Sequence, residues 1–301
     1  MPACEVIPEL PFVDAGYGAA RGGFLKHGGR FFFADRRRGE LHCHDAASMA
    51  QEWVLDLWGE RHSAAPLAFH GELLVAHGSG GLNYIDPATG RVERQQVLPR
   101  IQKLYPPIEH EGDLLYVYTN WSSGGILRFD PATGGIKWKF TKRGRTAPPR
   151  GGPAPIVGTT AIISVNDGSS LVGVDIDSGE ARWTFRAQWL YTPVEISGSS
   201  MIFGTSGGWG RHLRRHDVET GETEWAVPLD GGCSYYAAEG EHLVAGDWSG
   251  VLRRIRRLDG VVSNEVPLGL RLAGPPLVVD SRIYVLGWPA DGAPSLIALD
   301  A

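Results

Sequence analysis

The sequence predicts an all-β chain: a seven-bladed β-propeller of four-stranded antiparallel blades, with residues 1–301 forming a single domain. Three observations carry this. A phrase recurs in which an Asp is followed three residues on by Thr or Ser, then by Gly, with a Trp eight residues after the Asp. Its anchor positions are spaced 39–45 residues apart, the length of one propeller blade. Between the anchors lie short apolar runs parted by turn residues, with no 3.6-residue periodicity of an amphipathic helix.

The phrase is complete at Asp130, Thr133, Gly134 and Trp138, at Asp175, Ser178, Gly179 and Trp183, and at Asp217, Thr220, Gly221 and Trp225. Asp45 and Trp53 keep its ends, while Asp86, Thr89 and Gly90 keep its turn and place Arg94 where Trp is expected. The anchors run Asp45, Asp86, Asp130, Asp175, Asp217, Arg256 and Asp300. Asp and Thr side chains accept backbone N–H groups in a tight turn, and Gly takes the positive φ that such a turn needs. The phrase therefore joins the third strand of a blade to the fourth. Its Trp, on that fourth strand, is set to bury on the order of 200 Å² against the neighbouring blade. Asp300 leaves the seventh blade without a fourth strand of its own. Residues 1–12 are expected to supply it, closing the ring and removing an open sheet edge.

Composition excludes several classes. A net charge of −5 lacks the basic footprint of a nucleic-acid binder. Cys4, Cys43 and Cys233 contain no CxxC pair, which removes disulfide-scaffold and zinc-ribbon readings. The first residues lack a basic stretch followed by a long apolar one, and no apolar run approaches membrane-spanning length. These features give a cytoplasmic protein without a membrane partner as the expectation.

The repeated phrase resembles the tryptophan-docking motif of the PQQ-type β-propellers, a family that includes quinoprotein alcohol dehydrogenases and outer-membrane assembly lipoproteins. The resemblance covers nearly the whole chain and implies the fold. The dehydrogenases carry a vicinal cysteine pair over their cofactor and eight blades; this chain has neither adjacent cysteines nor an eighth anchor. The lipoproteins carry a lipid-modified cysteine after a signal peptide, a context Cys4 lacks. No quinone or other cofactor is expected.

Candidate functional residues lie where the repeat departs from itself. The loops entering the first strands hold Arg100, Lys103 and Tyr105, then Trp189 and Tyr191, then Cys233 and Tyr235. Aligning blades on Gly112 and Gly198 matches Tyr105 with Tyr191 and Glu109 with Glu195, where other blades have Ala68, Pro155, Ala237 and Val278. Two carboxylates in an apolar slot would be desolvated and suited to acid–base chemistry. Alternatively, each bonds a neighbouring backbone or an arginine such as Arg100. Trp121, Trp209, Trp248 and Trp288 fall in loops between second and third strands, where exposed indoles suit recognition.

Two functions follow. In the first, an aromatic, carboxylate-containing pocket at the top of the channel binds a small molecule or peptide through Arg100, Lys103, Trp121, Trp189, Trp209, Tyr235 and Trp248. In the second, the same pocket is a cofactor-independent lyase, cyclase or hydrolase with Glu109 and Glu195 as acid and base and Tyr105 and Tyr191 orienting. A PQQ-dependent oxidoreductase ranks third. His42, His44 and His216 read as core histidines, so no metal is expected. Gly204–Gly208 reads as a turn. Arg36–Arg38 and Arg143, Arg145 and Arg150 read either as a site for an anionic ligand or acidic partner or as a solvated rim.

Overall fold

The computed structural model of the chain describes residues 25–35, 38–57, 66–77, 80–98, 101–149, 154–165, 169–186, 189–190, 194–206, 211–231, 235–279, 282–289, 292–293 and 295–300. Among these there are strands and turns and no α-helix. The strands form seven antiparallel sheets, each a meander in sequence order. The first runs from Leu25–His27 to Gln51–Asp56 and the second from Leu67–Phe69 to Val92–Val97. The third ends on Gly135–Arg143, the fourth on Ala181–Arg186, the fifth on Thr223–Pro228 and the sixth on Val262–Pro267. In the seventh, Arg282–Pro289 pairs with Ser295–Asp300, the last described strand. The expected closing segment, residues 1–12, lies outside the described residues.

Proline breaks the first strand of three sheets. Lys103–Leu104 and Ile108–His110 are separated by Tyr105, Pro106 and Pro107, and Leu270–Leu272 and Leu277–Val279 by a stretch containing Pro275 and Pro276. Thr146–Ala147 and Ile156–Val157 of the fourth sheet are parted by a stretch containing Pro148, Pro149 and Pro155, and the first strand of the fifth sheet is also in two pieces. Proline has no N–H to give a ladder, so the two halves pair with opposite ends of the second strand, as Leu270↔Pro289 and Val279↔Arg282 do.

The repeated phrase forms the turn its chemistry dictates. The Asp175 carboxylate accepts the backbone N–H groups of Asp177 and Ser178 at 3.0 and 2.7 Å and the Ser178 hydroxyl at 2.9 Å. Gly179, at φ 76°, then donates to the Asp175 carbonyl. The Ser178 backbone first, then the Arg182 guanidinium and the remaining turn donors, pull the Asp175 carboxyl down to about 2 against the opposing effect of burial. At Arg256 the charges are exchanged: its guanidinium grips Asp259, and Gly260 still donates to the Arg256 carbonyl.

Each Trp reaches the turn of the following sheet. Trp53, Trp138, Trp183 and Trp225 donate their indole N–H to the carbonyls of Pro87, Ile176, Val218 and Arg257 at 3.3, 3.2, 2.7 and 3.0 Å. In every case the acceptor is the residue after the anchor. Arg94 instead lies over its own sheet's Tyr84, 3.6 Å from the ring centroid, with Glu72 at 3.7 Å.

The chain divides into two compact units. One holds residues 1–108, 118–120 and 151–153; the other holds 109–117, 121–150 and 154–301. In the first unit Phe32, Leu41 and Cys43 pack on Leu73, Val75 and Ile85. In the second, apolar layers lie between successive sheets: Ile162 and Leu171 with Met201 and Phe203, Ile202 and Leu213 with Leu243 and Ile255, and Val244 with Ile283 and Val285.

Candidate functional site

The two glutamates that the sequence aligns are out of register by one residue. Among the described residues, the hairpins between first and second strands use two-residue turns, of two kinds. His70-Gly71 and Glu111-Gly112 have positive φ at both positions, as in type I′ turns, with Gly second. Gly198 has positive φ and Ser199 does not, as in a type II′ turn with Gly first. Alignment on Gly therefore slips the strand by one, and a one-residue slip exchanges its faces. Glu195, opposite Ile202, is matched by Ile108, and Glu109 by Ile196.

Their surroundings differ accordingly. Glu109 is exposed. Glu195 is half-buried and holds Arg257 of the following sheet at 2.6 Å. The expected pair of desolvated carboxylates is not formed. Glu195 takes the ion-paired alternative, with Arg257 as its partner in place of an arginine such as Arg100.

The remaining candidates are scattered. Tyr105 is half-buried beneath the Lys103 ammonium, which stands 4.5 Å from its ring centroid. Tyr235 opens the first strand of the sixth sheet and packs at the edge of the core. Trp121 is 82% exposed in the turn before Ser123–Asp130. Trp248, 36% exposed, carries the Arg271 guanidinium 4.1 Å from its ring centroid. Trp288, expected in a loop, lies on strand Arg282–Pro289. Trp189 belongs to strand Trp189–Leu190, and its side chain lies outside the described residues, as do Arg100, Tyr191 and Trp209. Gly204 to Ser206 end a strand where a turn was expected.

The histidines sit in the core. His42 and His44 share a face with Phe33, with centroids 4.8 and 5.6 Å from its ring. His42 meets Glu40 at 3.1 Å and His44 the Met49 carbonyl at 3.0 Å. His216 is fully buried between the Gly221 carbonyl and Thr223, and burial lowers it to about 4. The Cys43 thiol is pushed up to about 12 by burial and then by Glu52, which leaves it inert.

Sequence reading missed a buried charge network in the sixth sheet. Arg253 is 5% exposed and binds Asp247 at 3.0 Å, Asp230 at 2.7 Å and Glu265 at 2.7 Å. Asp247, fully buried, also accepts from Ser249 and from the Asp230 N–H. Three acids around one guanidinium pin the loops at one end of the sixth sheet. Nothing in the sequence marks the network, because Arg253-Arg254 reads equally well as a surface pair. These arrangements provide aromatic and cationic contact surface; among the described residues they assemble no nucleophile–base pair.

Four-stranded meanders joined through an indole to the next turn define a β-propeller built from PQQ-like repeats. The chain belongs to the family described as outer membrane protein assembly factor BamB, whose profile matches residues 37–187, half of its length. Similar proteins include an outer membrane protein assembly factor BamB from Burkholderia pseudomallei, 26% identical over 60% of this chain and 46% of that protein. The chain thus spans about half the length of that curated relative. Among solved structures, BamB from Moraxella catarrhalis superposes with a TM-score of 0.57 at 19% identity, covering 92% of this chain and 82% of that one. Dihydro-heme d1 dehydrogenase NirN in complex with DHE does so at 0.53 and 10% identity, over 90% and 61%. These likenesses show the fold.

Proposed function

We propose that this protein is a non-catalytic docking scaffold in the assembly of outer-membrane proteins, binding a polypeptide partner through the strand-connecting loops of its sheets. Membership of the BamB family over residues 37–187 carries the reading. The relative's name supplies the process, and the absence of a paired acid–base at Glu109 and Glu195 favours binding over turnover. In this reading the protein works alongside outer-membrane proteins, in place of the cytoplasmic role expected from composition. The seven sheets act as blades of one ring, with tryptophan docking between neighbours and residues 1–12 as the last strand. Support for closure comes from the seventh sheet, where Leu277, Leu286, Trp288 and Leu296 expose 48–68% of their surface. Such a face calls for a cover.

Affinity purification of the tagged protein from detergent-solubilised membranes of its source organism tests the function. Co-purification of the outer-membrane β-barrel assembly machinery is expected; recovery without any of its subunits contradicts the proposal. Closure is tested by deleting residues 1–12. A lower melting temperature or aggregation is expected, and an unchanged melt refutes it.

A further inference from the structure

The second unit is electrostatically lopsided at the end where its second strands turn into third strands. Three acids lie there among the described residues, Asp230, Asp247 and Glu265, and all three are taken by Arg253. Among the described residues, the cations at the same end of the third and fourth sheets have no such partner. Arg143 closes the fourth strand of the third sheet opposite Ser123, and Arg186 closes the fourth strand of the fourth sheet opposite Ser170. Measured from the docking Trp138 and Trp183 of their strands, the two arginines are offset by two residues, which keeps them on the same strand face. Arg145 follows one residue beyond Gly144, whose N–H is tied to the Ser122 carbonyl at 2.8 Å. That bond fixes the exposed Trp121 turn beside the basic strand end. Lys142 crosses to the fourth sheet and donates to Thr184 at 2.9 Å. Its ammonium is depressed by burial and by the nearby Arg186 charge. No carboxylate of the described residues is in ion-pair contact with Lys142, Arg143, Arg145 or Arg186.

We infer that this surface, formed by Trp121, Lys142, Arg143, Arg145 and Arg186, docks an acidic, extended polypeptide segment of a partner protein. Charge complementarity sets the sign of the occupant. Packed sheets lie about 10 Å apart, and a two-residue offset at about 3.3 Å per residue widens the separation to about 12 Å, so carboxylates some four residues apart in an extended chain meet both arginine positions. The 82%-exposed indole of Trp121 gives the segment an apolar anchor of the kind that dominates interfaces. A polyanionic nucleic acid fits less well, because the chain as a whole carries −5 and repels it at long range. The inference rests on the scaffold reading above and names the chemistry of its partner.

The test is fluorescence anisotropy with a short labelled peptide of alternating Glu and Ser and its Gln/Ser counterpart. The acidic peptide binds in a salt-sensitive manner and the neutral one does not. Arg143→Glu with Arg145→Glu weakens binding on the order of tenfold or more, as does Arg186→Glu. Arg282→Glu, at the opposite end of the same unit, leaves binding unchanged, and all variants keep the melting temperature. Equal binding of both peptides, binding of neither, or indifference to the reversals overturns the inference. Co-purification of the assembly machinery by the same charge-reversed variants then leaves the scaffold reading standing and removes only this surface. A labelled single-stranded oligonucleotide that binds more tightly than the acidic peptide also overturns it.

Discussion

Gly221→Ala tests how the fourth and fifth sheets are joined. Gly221 sits at φ +72°, and a Cβ there would stand 2.5 Å from Cγ and 2.6 Å from Cδ2 of Trp183. Two penalties follow. The left-handed backbone costs a residue with a Cβ about 1 kcal/mol, and forcing an atom into a packed joint costs about 1–3 kcal/mol. The substitution is therefore expected to lower stability by roughly 2–4 kcal/mol. Trp183→Ala removes the half-buried indole and its 2.7 Å bond to the Val218 carbonyl, at about 3 kcal/mol. In the double variant the indole is gone and only the backbone penalty of Gly221→Ala remains. The two changes are thus expected to sum to about 2 kcal/mol more than the double variant loses. Urea unfolding followed by far-ultraviolet circular dichroism measures all three variants. Additivity within about 0.5 kcal/mol would show that the indole does not rest on this turn.

Other perturbations have equally definite outcomes. Arg253→Leu leaves the fully buried Asp247 without its guanidinium and is expected to cost about 3–5 kcal/mol, read as a depressed melting temperature. Glu195→Gln breaks a partly buried ion pair with Arg257 and costs about 1 kcal/mol, whereas Glu109→Gln, at an exposed position, changes stability by less than about 0.5 kcal/mol. Equal losses would restore the equivalence that the hairpin turns remove. His216 is held near 4 when folded against about 6.5 when unfolded, so the unfolded chain takes the proton first as pH falls. Its effect is complete stability above 6.5 and a decline between 6.5 and 4 of up to roughly 3 kcal/mol. His216→Leu should flatten that part of the pH–stability curve, and an unchanged slope would assign it elsewhere.

The parts of the fold legible in the sequence are those with local chemistry. Asp175 binds donors two and three residues ahead, so its turn is written in five consecutive letters. The indole of Trp183 reaches only as far as the next copy of the same phrase, which makes a long-range contact readable through the repeat. Even the degenerate anchor at Arg256 keeps its turn, because Asp259 supplies the missing opposite charge. The candidate site was harder to read. Type I′ and type II′ turns place Gly at different positions, and one letter cannot say which turn it serves, so Glu109 and Glu195 were set level when they are one residue apart. Glu195 and Arg257 are separated by 62 residues and by no repeated pattern. The Arg253 network draws acids from two loops and a strand, and no spacing rule connects them. Sequence periodicity encodes the scaffold, while pairings between unlike loops need the assembled sheets.

The most direct measurement of the central claim is quantitative proteomics of outer membranes from the source organism with and without the gene. The proposed scaffold role predicts a general fall in outer-membrane β-barrel proteins upon deletion, restored by the wild-type gene and only in part by the Arg143→Glu, Arg145→Glu variant. Unchanged barrel levels in the deletion strain would contradict the account.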